Sequence, residues 1–232
     1  MAHRAFKDTL YPEFARVASA LASPRRLELV DLLAQAPRGV DALAAESAMS
    51  AANVSQHLQV LKRARLVASA RRGTSVIYRL AGPDVVALWL ALRRVAEERL
   101  PEVERLHRDA MGGGGEPLAR DEAARLIKLG HAVLLDVRPP LEFQAGHVAG
   151  AISVPLDELE GRLDELPRDR RIIAYCRGAY CLFADEAVAL LRKHGFEAER
   201  LDGGWPEWLV EGRPVRTDGG AANMAASRLR TV

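Results

Sequence analysis

The 232-residue sequence predicts an α/β protein in two parts: a mainly helical winged helix-turn-helix, then an α/β/α layer built on a parallel sheet. Three observations lead to that class. Apolar residues recur at helical spacing up to about residue 110, then give way to short apolar runs alternating with helical stretches. Four glycines, Gly112 to Gly115, with Glu116 and Pro117 after them, separate the two patterns and read as a flexible linker. The charge also changes sign there. Residues 1–110 carry 17 Lys and Arg against 12 Asp and Glu, and the remainder 16 against 19, for a net +2. No apolar run approaches the roughly 18 residues of a membrane span. The start, Met1 to Asp8, lacks the apolar core of a signal peptide. Two cysteines cannot staple a scaffold, and a reactive thiol suits a reducing compartment. These features predict a cytoplasmic protein with no membrane partner.

The elements follow in order. Ser23 caps a helix opened by Pro24, with Leu27, Leu29, Val30, Leu32 and Leu33 apolar, and Pro37 ends it. Residues 40–46 make a short helix. Ser50 caps the next, in which Val54, Leu58 and Leu61 recur at spacings of four and three. Residues 66–70 and 75–80 are strands flanking Arg71-Arg72-Gly73-Thr74, a hairpin signal. A long helix is predicted from Pro83 to about Ala110, kinked by Pro101. Beyond the glycines, Val133–Val137 and Arg171–Tyr175 suit buried parallel strands, with helical patterns at 121–129, 157–166 and 182–193. The tail from Arg216 has few large apolar residues and is expected to be mobile.

Between Glu46 and Asp84 there is no acidic residue but six basic ones, Lys62, Arg63, Arg65, Arg71, Arg72 and Arg79, as a phosphate-facing surface requires. The helix after Ser50 presents Ser50, Asn53, Ser55, Gln56, His57 and Gln59, whose short polar groups suit base edges in a major groove. With Lys62, Arg71, Arg72 and Thr74 of the basic hairpin, these are the candidate DNA contacts. Ala22-Ser23-Pro24-Arg25-Arg26-Leu27, Asn53 to Lys62 and the closing Val76-Ile77-Tyr78-Arg79-Leu80 resemble the ArsR-type regulators. The resemblance covers essentially residues 5–110, within a domain expected over 1–111. It implies a homodimer built on the first and last helices and bound to an inverted-repeat operator in double-stranded DNA. The metal-sensing members often carry a Cys-x-Cys pair where this sequence reads Gly39-Val40-Asp41-Ala42-Leu43. Glu104 and His107 alone lie at ligand spacing on the last helix of that half, and they read as a solvated pair. No metal and no cofactor are expected.

Both cysteines lie in Cys176-Arg177-Gly178-Ala179-Tyr180-Cys181, between a strand and a helical pattern. Loop amides and a helix N-terminus aimed at the Cys176 sulfur would favour its thiolate. Asp136-Val137-Arg138, Glu142-Phe143, Gly146-His147-Val148, Gly150-Ala151-Ile152, this loop and Asp202-Gly203-Gly204-Trp205 with Trp208 resemble, in that order, the rhodanese-type sulfurtransferases over residues 119–215. The resemblance implies that Cys176 takes sulfur from a small donor such as thiosulfate, a polysulfide or a persulfide. Arg177, Gly178, Ala179 and Tyr180 then form the donor-binding loop. Asp136, Arg138, Glu142 and His147 are expected to brace the loop base, and Trp205 and Trp208 to be core. Related phosphatase and arsenate-reductase loops need Cys-x5-Arg, but Leu182 stands there. Cys181 is either a resolving thiol for a Cys176 persulfide or a small residue where a helix begins.

Together the halves predict a transcriptional regulator, a repressor responding to reactive sulfur species. Two alternatives stay open: a DNA-tethered thiosulfate or persulfide sulfurtransferase, and a thiol-based arsenic or metalloid sensor.

Overall fold

The computed structural model describes residues 2–111 and 115–217. Residues 112–114 of the expected linker and 218–232 of the expected tail lie outside the described residues. The chain packs as two compact units that divide between Trp89 and Leu90.

In the first unit, α1 (Ala2–Leu21) and α2 (Pro24–Gln35) precede β1 (Arg38–Gly39), α3 (Val40–Glu46) and α4 (Ala51–Arg63). Ser23 stands at the N-cap position of α2 with extended backbone, but its side chain makes no capping bond; Pro24, which needs none, opens the helix. Ser50 does cap α4, its hydroxyl accepting from the Asn53 N–H at 3.3 Å. The turn between α3 and α4 takes Ala48 into the left-handed region at φ 51°. Strands β2 (Val67–Arg72) and β3 (Ser75–Leu80) pair antiparallel, from Val67 opposite Leu80 to Arg72 opposite Ser75. The first strand runs two residues further than predicted, so Arg71 and Arg72 lie on the strand end, not in the turn. Gly73, at φ 60°, makes that tight turn. β1 completes the sheet on the other edge of β3. Leu29, Val30, Leu43, Val54, Leu58 and Leu61 are fully buried and form the core of the unit.

The predicted long helix is two helices, α5 (Pro83–Arg99) and α6 (Pro101–Met111), broken at Leu100. Pro101 has no N–H for the helical ladder, and its ring excludes the preceding turn, so the expected kink becomes a break. The division between the units falls inside α5.

The second unit continues with α7 (Arg120–Lys128), β4 (Ala132–Asp136), α8 (Pro140–Ala145), β5 (His147–Val148), β6 (Ile152–Ser153), β7 (Arg171–Tyr175), α9 (Phe183–Lys193), β8 (Ala198–Arg200), α10 (Trp205–Val210) and β9 (Val215–Arg216). Four strands form a parallel sheet in the order β6-β4-β7-β8, and β5 pairs antiparallel with β9. The helical pattern at 157–166 folds as a 3-10 helix over Leu156–Glu165, non-helical at Arg162. Gly161 in its middle disfavours an α-helix there. Strand alternation divides the core. Leu135, Ile172 and Ala174 meet Ala187, Val188 and Leu191 of α9 on one face; Leu134, Ile173 and Tyr175 meet Ala123, Trp205 and Trp208 on the other. Among the described residues no helix is long and apolar enough to cross a membrane.

At the carboxyl end of this sheet Asp136 and Arg138 form a fully buried ion pair, Nη2 to Oδ2 at 2.6 Å and Nε to Oδ1 at 3.0 Å. Arg138 also donates to the Gly146 carbonyl at 2.8 Å, and the Tyr175 hydroxyl donates to Asp136. Removing one partner of such a pair leaves an uncompensated buried charge. Asp136→Ala is therefore expected to destabilise the chain by about 3–5 kcal/mol, measured by urea unfolding followed through tryptophan fluorescence. An unchanged midpoint would contradict this role.

Candidate thiol loop and nucleic-acid interface

In the first unit, α4 keeps Val54, Leu58 and Leu61 inward, so Asn53, Gln56 and Gln59 are exposed and Ser55 and His57 half-buried. Exposed Ser50 spends its hydroxyl on the cap. Lys62 donates to the Ser69 hydroxyl at 2.8 Å, tying the end of α4 to β2. Arg71, Arg72 and Thr74 are exposed at the hairpin tip, where Arg71 Nε reaches the Gly73 carbonyl at 3.2 Å. This exposed polar helix beside a basic hairpin can face a nucleic-acid backbone and groove.

In the second unit, residues 176–182 connect β7 to α9. The loop is tight because backbone meets backbone. Gly204 packs so closely on the Cys176 carbonyl and on Gly178 that no side chain fits, and the Trp205 N–H donates to the Cys176 carbonyl at 3.2 Å. Gly178 itself lies at φ 148°, which favours glycine. Cys176 is buried at 1% exposure, while Cys181 is half-buried, and both are free thiols.

The sulfurs divide the electrostatics differently from the sequence expectation. Burial pushes the Cys176 thiol well above its ordinary range, and the neighbouring Cys181 adds to this. The amides of Gly178 and, at the start of α9, Ala184 pull the other way without prevailing. Cys181 is pushed down to about 7, first by the hydrogen bond from Cys176, then by the amides of Arg177 and Phe183 and the charge of Arg177, against burial. Loop amides do favour an anion, but the lower pKa falls on Cys181 and not on Cys176. The Cys176 sulfur also lies 3.1 Å from the Cys181 carbonyl oxygen.

The expected bracing residues lie where the loop is anchored. Asp136, Arg138 and Glu142 are fully buried and His147 nearly so, and Trp205 and Trp208 are core. Arg177 is paired with Glu142, Nε to Oε1 at 2.8 Å. The outer side of the loop meets residues that the sequence reading passed over. The Tyr180 hydroxyl donates to Glu97 at 2.7 Å, and its ring lies under Arg93 and edge-on to His107. His107 Nε2 donates to the Ala179 carbonyl at 2.9 Å, which also accepts from Arg200 at 3.3 Å. Arg93 pairs with Glu207, which accepts the Gly204 N–H at 2.9 Å. His107 is thus no solvated partner of Glu104, which pairs with Arg108 instead. Arg93 and Glu97 stand four apart and read as an ordinary surface pair; nothing in their spacing announced the loop. Among the described residues, no group of three or more His, Cys, Asp or Glu could hold a metal ion.

A winged helix with an exposed polar helix and basic hairpin, joined to a parallel α/β unit with a two-cysteine loop, defines a DNA-binding regulator carrying a second, α/β domain. Comparison with known proteins supplies the family. Residues 23–69 match the bacterial regulatory protein, arsR family, and residues 119–211 the rhodanese-like domain. The chain is 46% identical over 209 residues to the HTH-type transcriptional regulator Rv0324 of Mycobacterium tuberculosis, covering 90% of this chain and 92% of that protein. It belongs to the arsR family of bacterial transcriptional regulators and carries a rhodanese-like domain. It is also 30% identical over 92 residues to a sulfurtransferase of Allochromatium vinosum, covering 39% of this chain and 84% of that protein. A solved structure of a homodimeric winged helix-turn-helix DNA-binding domain from Mycobacterium bovis shares 45% identity, covers 40% of this chain and 87% of that one, and gives a TM-score of 0.39.

Alkylation by iodoacetamide, mapped by mass spectrometry, tests the division of charge between the sulfurs. The rate is expected to rise through pH of about 7, with the label on Cys181. Cys176→Ala removes the donor that holds the Cys181 thiolate, so the inflection moves to higher pH. Labelling led by Cys176 at neutral pH would reverse the assignment.

Proposed function

We propose that this regulator changes its hold on DNA when reactive sulfur loads Cys176, and that it acts as a repressor in the cytoplasm, as a homodimer on an inverted-repeat operator. The observation carrying this reading is the thiol loop itself: two interacting cysteines whose outer neighbours, Ala179 and Tyr180, are held by His107 of α6 and Glu97 of α5. Cys181 as thiolate takes the Cys176 proton while Cys176 attacks the outer sulfur of a persulfide R–S–SH. The S–S bond breaks, RS⁻ leaves, and Cys176–S–SH remains. Cys181, deprotonated again, attacks the Cys176 sulfur, expels HS⁻ and closes a disulfide. Cys181 is the resolving thiol on this reading.

Adding sulfur to the buried Cys176 displaces the loop and loosens its hold on α5 and α6. α5 begins in the first unit, where Val85 and Val86 are buried and Trp89 donates to Asp31 of α2 at 2.9 Å. One continuous helix therefore joins the thiol loop's contacts to the winged helix, without reliance on the glycine run. Coupling needs a difference of only about 1–3 kcal/mol between the DNA-binding states. The exposed Phe6, Tyr11 and Phe14 of α1 and Leu88, Leu92 and Val95 of α5 offer apolar surface for a second copy. Ser50, Asn53, Ser55, Gln56, His57 and Gln59 read bases, and Lys62, Arg71, Arg72 and Thr74 engage phosphates. The likeness to a sulfurtransferase favours a second reading, in which Cys176 passes sulfur to an acceptor and the winged helix only tethers the enzyme to DNA.

Operator binding titrated with polysulfide separates the two. The regulator loses affinity on loading, and Cys176→Ser becomes insensitive while binding DNA as before. Unchanged affinity with continuing sulfur turnover would leave the tethered enzyme. For the interface, Arg71→Ala with Arg72→Ala is expected to reduce the salt slope of DNA binding by about 2 per protomer, about 4 for the dimer, measured by fluorescence anisotropy across salt concentrations. A slope equal to wild type would exclude the hairpin tip from the interface.

A further inference from the structure

The charges around the loop point to the class of sulfur donor, an inference that rests on Cys176 being the sulfur-loading residue. A loop built for a dianion such as thiosulfate needs net positive charge at its mouth. Three guanidinium groups do lie here, but each is answered. Arg177 pairs with buried Glu142. Arg200, on the Ala179 carbonyl, pairs with Asp185 at 3.4 Å. Arg93, over the Tyr180 ring, pairs with Glu207 and, at 3.3 Å, with Glu97. Among the described residues, four carboxylates thus outnumber three guanidiniums about residues 177–180. Cys181, lowered to about 7, adds partial negative charge beside Cys176. Glu97 is the outermost of the carboxylates and touches the loop directly through Tyr180.

We propose that the loop selects uncharged sulfane-sulfur donors, such as organic trisulfides and protonated persulfides, over dianionic ones, and that Glu97 is the residue that most sets this selectivity. Both donor types undergo the same displacement. With thiosulfate, the Cys176 thiolate attacks the outer sulfur, the S–S bond breaks and sulfite leaves with the electron pair, giving Cys176–S–S⁻. With dimethyl trisulfide it attacks an outer sulfur, giving Cys176–S–S–CH3 and CH3–S–S⁻. Only the first brings two negative charges into a site that already carries an excess of them.

The full-length protein is treated with thiosulfate or dimethyl trisulfide, and the rate of modification at Cys176 is followed by mass spectrometry. Comparing rates within each donor cancels its intrinsic reactivity. Thiosulfate loading is expected to rise several-fold between about 0.02 and 0.2 M salt, because repulsion is screened, while trisulfide loading stays level. Glu97→Gln keeps a hydrogen-bond acceptor for Tyr180 and is expected to raise the thiosulfate-to-trisulfide rate ratio about five-fold. A trisulfide loading rate equal to wild type, with an unchanged urea unfolding midpoint, shows that the variant is folded. Thiosulfate loading that falls with salt, or a ratio unmoved by Glu97→Gln, overturns the selectivity and leaves the sulfur reading standing. If neither donor modifies Cys176, both fall together.

Discussion

The buried Asp136–Arg138 pair is the constraint on which the rhodanese-like unit depends. An arginine with no exposed surface survives at the end of a sheet only because a carboxylate, a backbone carbonyl and two aromatic faces surround it. Burying such a pair yields little net stability, because desolvation cancels much of the attraction. What it supplies here is register. Asp136 ends β4, Tyr175 ends β7, and the Tyr175 hydroxyl both donates to Asp136 and accepts the Val148 N–H at 3.1 Å. Tyr175 immediately precedes Cys176, so a network built on one charge fixes the residue from which the thiol loop departs. Gly146 belongs to the same arrangement: its carbonyl holds Arg138, and its missing side chain lets the Trp205 ring approach.

The loop built on that base balances two opposed effects. Amides of Gly178 and Ala184 draw negative charge towards Cys176, and amides of Arg177 and Phe183 draw it towards Cys181. Burial opposes both, and it is stronger at Cys176, which has almost no access to water. The outcome is a thiol pKa raised at Cys176 and lowered to about 7 at Cys181, the more accessible sulfur. On the proposed reading, that would suit a pair in which one member accepts the proton and the other forms the bond, because both sulfurs belong to one tight loop.

Much of this was legible in the sequence, for identifiable reasons. Alternating apolar runs at Val133–Val137 and Arg171–Tyr175 have only one way to be buried on both faces, and they became neighbouring parallel strands. Ser50 and the Val54, Leu58, Leu61 repeat set α4 in position and orientation. What could not be read was what depends on tertiary approach. Leu100 and Pro101 turn a single predicted helix into two, and this break lets His107 and Glu97 reach the same loop. Neither residue carries a local signal, since an exposed Arg–Glu pair four apart and a lone histidine have many ordinary explanations. The pKa order of the cysteines was equally hidden, because spacing reports the amides and burial is a property of the fold.

Magnitudes decide which contacts can act as a switch. The Asp136–Arg138 network is too costly to open, since exposing either charge unpaired would cost several kcal/mol and most of a domain's stability. The contacts on the outer side of the loop belong to another class. Tyr180 is 41% exposed, so its bond to Glu97 exchanges readily with water, and the His107 bond to Ala179 is a single bond to a carbonyl. Each is worth about 1 kcal/mol net, and two of them fall within the range that couples a modification to a binding equilibrium. The unit therefore keeps a rigid base beneath Cys176 and an inexpensive fastening above it. On the proposed reading, sulfur added at Cys176 would meet the first as a wall and the second as a latch, and displacement would be directed towards α5 and α6 and not into the sheet.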